Sequence, residues 1–249
     1  MTKPTLIFAP GAWYPSTAFT PLTTTHLTPH NYQTTTITFP SIQDAKTITS
    51  LAPDIAAVRN AVSPAVEAGQ DVIIISHSWS GLPVNSALEG LSRAERQEQG
   101  LEGGVVRLIF ISAFLPTVGQ SLIGAVGGVV PDWYVFDDEH ETITADDPYK
   151  LFFHDVPDGR EWTETLRPHA AATKNSPAVA AAYVDIPAVY LLCEEDRAIP
   201  IAVQEAMVEK AREMGANIST ERVKTGHTPW LVDGEFVAGF IRRWAGEDV

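Results

Sequence analysis

The strongest constraint on the fold is the alternation of short, largely apolar runs with longer amphipathic stretches. Residues 6–9, 34–39, 71–75, 105–112, 188–193 and 218–223 are the strand candidates. Several are apolar on successive residues, so both of their faces must be covered. Between them, residues 48–68 carry Leu51, Ile55, Val58 and Val62 at helical spacing. Residues 82–99 begin apolar and end charged, and residues 201–214 and 235–244 complete the helical stretches. Strand–helix alternation of this kind predicts an α/β fold, a mainly parallel six-stranded sheet with helices on both faces.

The alternation breaks once, between residues 114 and 185. This stretch is rich in Gly, Pro and acids, including Gly124, Gly127, Gly128, Asp137, Asp138, Asp146 and Asp147. Within it, residues 162–173 and 176–183 read as short helices. A break of this size inside a compact sheet is an insertion that covers an edge or a face.

Composition excludes several partners. With 31 acidic and 17 basic residues the 249-residue chain has a formal charge of −14. Neither nucleic acid nor an anionic membrane suits such a chain, since both demand Lys/Arg patches. The same charge disfavours anionic substrates. Cys193 is the lone cysteine, so no intramolecular disulfide and no multi-cysteine zinc site can form. His26 and His30 are four residues apart, but Pro29 breaks the helix that would align them as metal ligands. The Gly124–Gly128 run does not lead from a strand into a helix, so it is no phosphate loop. Neither a metal nor a cofactor is expected. The first apolar run is short, stops at Pro10-Gly11 and lacks the features of a signal peptide. No run approaches the roughly 18 apolar residues of a membrane span. The expected compartment is the cytoplasm.

The third strand candidate runs directly into Ser76-His77-Ser78-Trp79-Ser80-Gly81 and then a helix. A serine between small residues, straight after an apolar strand, has the setting of a nucleophile elbow. The tight turn exposes its hydroxyl, and bulky residues two positions before or after would collide. In isolation the pattern is also that of a serine-rich helix cap. A free hydroxyl is a poor nucleophile, so Ser78 needs a base and an orienting acid. His227, in the Gly226–Pro229 loop after the last strand candidate, is the histidine placed to serve as base. Asp196, after the preceding strand, is the choice for the acid, with Glu194 and Glu195 as rivals. Charge developing on a substrate oxygen calls for two backbone donors. Trp79, following the nucleophile, supplies one. Ala12 in the Pro10-Gly11-Ala12 loop supplies the other, with Trp13 as the alternative. Trp13, Tyr14, Trp133 and Trp230 lie near site loops or in the insertion and are candidates for an apolar substrate pocket. His77 and His154 read as packing residues.

These residues together resemble the α/β-hydrolase family over nearly the whole chain. The likeness is closest to its compact branch of plant methylesterases and hydroxynitrile lyases. That branch has His-Gly-Ala where this chain has Pro10-Gly11-Ala12, and Ser76 and Ser80 stand where the family elbow usually has glycines. The resemblance implies that two N-terminal antiparallel strands of the family are missing. It also implies one domain over residues 1–249, with residues 114–185 as a helical cap. The implied activity is hydrolysis of a carboxylic ester or lactone of a small apolar or aromatic substrate through an acyl-Ser78 intermediate. A cofactor-free lyase or cyclase on the same triad, and a hydrolase-fold ligand receptor, are the alternatives. The expected partner is a small-molecule substrate, and a homodimer is left open. Dehalogenase and epoxide-hydrolase chemistry fails, because those relatives need Asp where this chain has Ser78.

Overall fold

The computed structural model describes residues 3–249. Among these, nine strands form two sheets. They are β1 (Thr5–Ala9), β2 (Thr34–Thr36), β3 (Asp71–His77), β4 (Gly104–Ile111), β5 (Tyr134–Asp137), β6 (Thr142–Ala145), β7 (His169–Ala170), β8 (Ala188–Cys193) and β9 (Ile218–Val223). The main sheet has the order β2-β1-β3-β4-β8-β9, and every neighbouring pair is parallel. All six expected strands are present. β2 is shorter than expected: Ile37 still donates to the carbonyl of Phe8, but the chain then turns into a helix at Pro40.

The apolar runs fill two cores by strict alternation. Ile7, Ile74, Leu108, Phe110 and Tyr190 point to one face. Leu6, Phe8, Ile73, Ile75, Ile109, Ile111, Val189 and Leu191 point to the other. Each face is closed by helices. α1 (Ala52–Glu67) brings Val58, Val62 and Val66 to the first face. The helix that ends the chain, Gly234–Trp244, brings Val237, Phe240 and Ile241 to the second. Period-2 alternation within strands and helical spacing between them thus produce one layered arrangement.

The helix expected over residues 82–99 is two helices, α2 (Gly81–Ala87) and α3 (Arg93–Glu98). Gly90 between them has φ +74°, a left-handed conformation that ends the first helical run. Ser92 then caps the second. Its hydroxyl accepts from the Glu95 N–H at 3.1 Å, and the Glu95 carboxylate accepts from the Ser92 N–H at 3.2 Å.

The segment between β4 and β8 is not the helical cap expected. β5, β6 and β7 form a three-stranded antiparallel sheet, joined by short helices such as Leu122–Ala125 and Pro148–Phe152. Tyr134-Val135-Phe136 and Thr142-Ile143-Thr144 are aromatic and β-branched, as paired strands favour. The helix expected over 162–173 is confined to Gly159–Thr163 and Ala172–Asn175, because Pro168 lies between and the chain extends into β7. Residues 176–183 likewise lack a regular helix, and Pro177 stands at their start.

Candidate active site

β3 ends in a turn that places Ser78 at φ 55°. This left-handed conformation is costly for a residue with a side chain and persists only where the surroundings impose it. Three contacts impose it here. A Cβ on Gly81 would lie 1.9 Å from the backbone oxygen of Phe114, so only glycine permits the close passage of the two chains. A Cβ on Gly11 would lie 2.9 Å from the Ser78 Cβ, which seats the first loop against the nucleophile. Ser80, where a glycine is usual, uses its hydroxyl. It donates to the Ala9 carbonyl at 2.8 Å, accepts from the His77 N–H at 3.0 Å, and lies 2.9 Å from the Ser76 hydroxyl. The extra oxygens stitch the elbow to β1.

Asp196 and His227 meet as the chain order predicts. His227 Nδ1 is 2.7 Å from Asp196 Oδ2, and both side chains are buried. Asp196 Oδ1 accepts from the N–H groups of Ala198 and Ile199 at 2.7 and 2.9 Å, and Ser112 donates its hydroxyl to Oδ2. The rivals are elsewhere: Glu194 pairs with Arg222 at 3.3 Å on the surface, and Glu195 is exposed. The base loop is pinned from two sides. Asp155 accepts from the Gly226 N–H, and Thr228 donates to the Phe152 carbonyl at 2.9 Å. Among the described residues, no hydrogen bond links Ser78 Oγ to His227. In ligand-free sites such contacts often tighten only around substrate.

A cavity of 60 Å³ is lined by Ser78, Ala12, Trp79, Trp13, Trp133, Tyr134, Phe152, Leu122 and Lys174, among others. Ala12 and Trp79 therefore meet at Ser78. Trp79 is in the opening turn of a helix, where an N–H has no intrahelical acceptor. Trp13, at φ 71°, turns its indole to the cap segment and donates to the Ile143 carbonyl at 2.8 Å.

Two of the aromatic expectations are corrected. Tyr14 and Trp230 do not line this cavity; they are core residues behind His77, with ring centroids 5.2 and 4.7 Å from it. The turn at Trp13 sends adjacent side chains to opposite sides, so nearness in sequence misassigns Tyr14. Trp230 instead donates to the Ala18 carbonyl at 2.9 Å. Sequence reasoning missed Ser112, Asp155, Phe152 and Lys174. Only Ser112, at the C-terminal end of a central strand, carried a positional signal. His77 does more than pack: its Nε2 donates to the His227 carbonyl at 3.0 Å. Burial holds its pKa well below the ordinary histidine value, and the neighbouring His227 adds to this. His77 thus favours its neutral form beside His227.

A parallel sheet whose strand ends carry a strained serine and a buried carboxylate–imidazole pair has the architecture of α/β hydrolases. The chain matches the alpha/beta hydrolase family over residues 6–240 and belongs to it. It is 32% identical to the alpha/beta hydrolase nvfD of Aspergillus novofumigatus, over 100% of this chain and 99% of the relative. It is similar in structure to a pyrethroid hydrolase from Sphingobium faniae JZ-2, with TM-score 0.74 and 18% identity over 99% of both chains. Polyneuridine aldehyde esterase gives TM-score 0.77 at 15% identity, over 98% of this chain and 100% of that one. Among the described residues, no helix is long and apolar enough to cross a membrane.

Proposed function

We propose that the protein hydrolyses carboxylic esters of small apolar or aromatic substrates through an acyl-Ser78 intermediate, with residues 114–185 acting as a cap on one domain. The observation that carries this reading is the cavity where the strained Ser78 meets Ala12 and Trp79, beside the buried Asp196–His227 pair. His227 takes the Ser78 proton as Oγ bonds to the ester carbonyl carbon. The carbonyl oxygen becomes an oxyanion and accepts from the Ala12 and Trp79 N–H groups. Collapse expels the alcohol, which receives the proton from His227 and leaves acyl-Ser78. A water then gives a proton to His227 and attacks the acyl carbon, releasing the acid and restoring Ser78. Asp196 holds the imidazole tautomer and balances the imidazolium at each step.

The aromatic lining supports an apolar or aromatic group. The 60 Å³ volume is far below the roughly 300 Å³ of an ordinary ligand pocket. Substrates are therefore small, or the cap yields on binding. The names of the structurally similar polyneuridine aldehyde esterase and pyrethroid hydrolase agree with ester chemistry. The test is intact-mass spectrometry during turnover of an activated aryl ester. An adduct equal in mass to the acyl group should form on the wild type and be absent from Ser78→Ala. Turnover by Ser78→Ala at the wild-type rate would sink the reading.

A further inference from the structure

The reaction above leaves one buried ionisable group unused at the cavity wall. Lys174, in the short helix Ala172–Asn175, is 1% exposed. Its Nζ lies 4.5 Å from the Trp13 ring centroid, 5.5 Å from that of Trp79 and 5.8 Å from that of Tyr134. All three aromatics line the Ser78 cavity, as does Lys174 itself. Trp13 and Trp79 belong to the two loops that present the oxyanion donors.

The amine is held from behind. Nζ lies 2.6 Å from His169 Nδ1, and His169 Nε2 lies 2.9 Å from Ser41 Oγ, so amine, imidazole and hydroxyl form one buried hydrogen-bonded chain. The Ser41 N–H donates to Asp54 Oδ1 at 3.0 Å. Ser41, Asp54 and His169 are all buried. Asp54 Oδ2 has no partner among the described residues, and the carboxylate makes no direct ion pair with Lys174. An amine has three positions for hydrogen or a lone pair, and only one is used on His169. The others face aromatic rings and the cavity.

Burying a lysine without a paired anion is expensive. The protein's remaining charges near it do not repair this. His169 is kept neutral by burial and by Lys174 itself. The Tyr134 phenol is neutral as well. Asp137, Asp138 and Glu141 line a separate outer groove on the far side of the wall that Lys174 and Tyr134 share. Burial accordingly pushes the Lys174 amine well below its ordinary pKa, against the opposing pull of Asp54.

We propose that Lys174 is a substrate-recognition residue that binds a carboxylate carried by the substrate beside the ester cleaved at Ser78. The inference rests on the esterase reading of the Ser78 cavity. A carboxylate supplies the missing anion. The carboxylate meets the Lys174 amine at the cavity wall, while His169, Ser41 and Asp54 keep the nitrogen aimed. The site is a local reversal of the −14 formal charge.

Calorimetry with butanoate and its uncharged isostere butanamide tests this on the intact protein at neutral pH. Butanoate should bind at least about tenfold more tightly, the ratio of a charge-assisted contact to a neutral one. Equal affinity for the two probes overturns the proposal. Lys174→Met should abolish the preference; its retention in that variant also overturns it. The wild-type comparison stands alone if that variant does not fold. Ser78→Ala should keep the preference. If it keeps both the preference and esterase turnover, the esterase reading fails and the lysine site stands. If it loses turnover while wild type shows no preference, the lysine site fails alone.

Discussion

His77 donates to the carbonyl oxygen of His227 across 3.0 Å, so the residue before Ser78 holds the backbone of His227. The pair is 150 residues apart in sequence, with ring centroids 4.5 Å apart and planes tilted by 53°. This contact fixes one loop relative to the other before any substrate arrives. His77→Phe keeps the ring and removes the donor. It should lower kcat by about tenfold, somewhat more than one neutral hydrogen bond because a catalytic loop is freed. KM should change little. Steady-state kinetics on an aryl ester, with circular dichroism to verify folding, decides it.

Asp196 was chosen over Glu194 and Glu195, and geometry separates them. Asp196→Asn should reduce kcat by roughly 10⁴-fold, because the amide favours the wrong imidazole tautomer. Glu195→Gln should leave kcat within about twofold, since that side chain is exposed. Comparable losses in both variants would contradict the assignment.

Asp54 gives a pH dependence of stability. Burial raises its folded-state pKa from 3.8 to about 6, against the lowering effect of its hydrogen bonds from Ser41 and of Lys174. A carboxyl with a raised folded pKa favours the folded state least when ionised. Its unfavourable contribution is absent below the unfolded pKa and grows as pH rises through 3.8 towards 6 and beyond. The full effect is roughly 3 kcal/mol at 1.36 kcal/mol per unit. Urea unfolding of wild type and Asp54→Asn between about pH 4 and about pH 7 should show wild type losing about 2 kcal/mol relative to the variant, the rest of the effect lying below about pH 4. A constant difference across that range would count against the shift.

Gly81 is a steric prediction. Gly81→Ala drives a methyl into the Phe114 backbone oxygen, which cannot rotate away. The expected cost is at least about 3 kcal/mol, seen as a lower melting temperature or loss of soluble protein. Gly90→Ala meets no neighbouring atom and carries only the left-handed backbone penalty, so it should cost about 1 kcal/mol.

The main sheet and the placing of Ser78, Asp196 and His227 on loops at its strand ends were readable in the sequence because each depends on neighbours along the chain. An apolar strand running into Ser76-His77-Ser78 specifies a local turn, and strand order then ranks Asp196 and His227. Long-range contacts decided what was not readable. Tyr14 and Trp230 sit beside site loops but face the core, since the direction of a side chain is set by backbone angles at its own turn. Lys174 lies between Thr173 and Asn175, a polar context that suggests solvent exposure. Its burial depends on Trp13, Trp79 and His169, and through His169 on Ser41, more than 130 residues earlier in the chain. The small cap sheet was hidden because its three strands are short and bounded by acids that read as loop.

The Trp13 indole bonded to Ile143, together with the Arg167 N–H bonded to the Trp13 carbonyl, ties the loop of Ala12 to the cap segment. Under the proposed reading, displacing this segment to admit a bulky guest breaks that latch and moves the Ala12 N–H away from Ser78, so the grip on the segment and the geometry beside the serine are set by the same two hydrogen bonds.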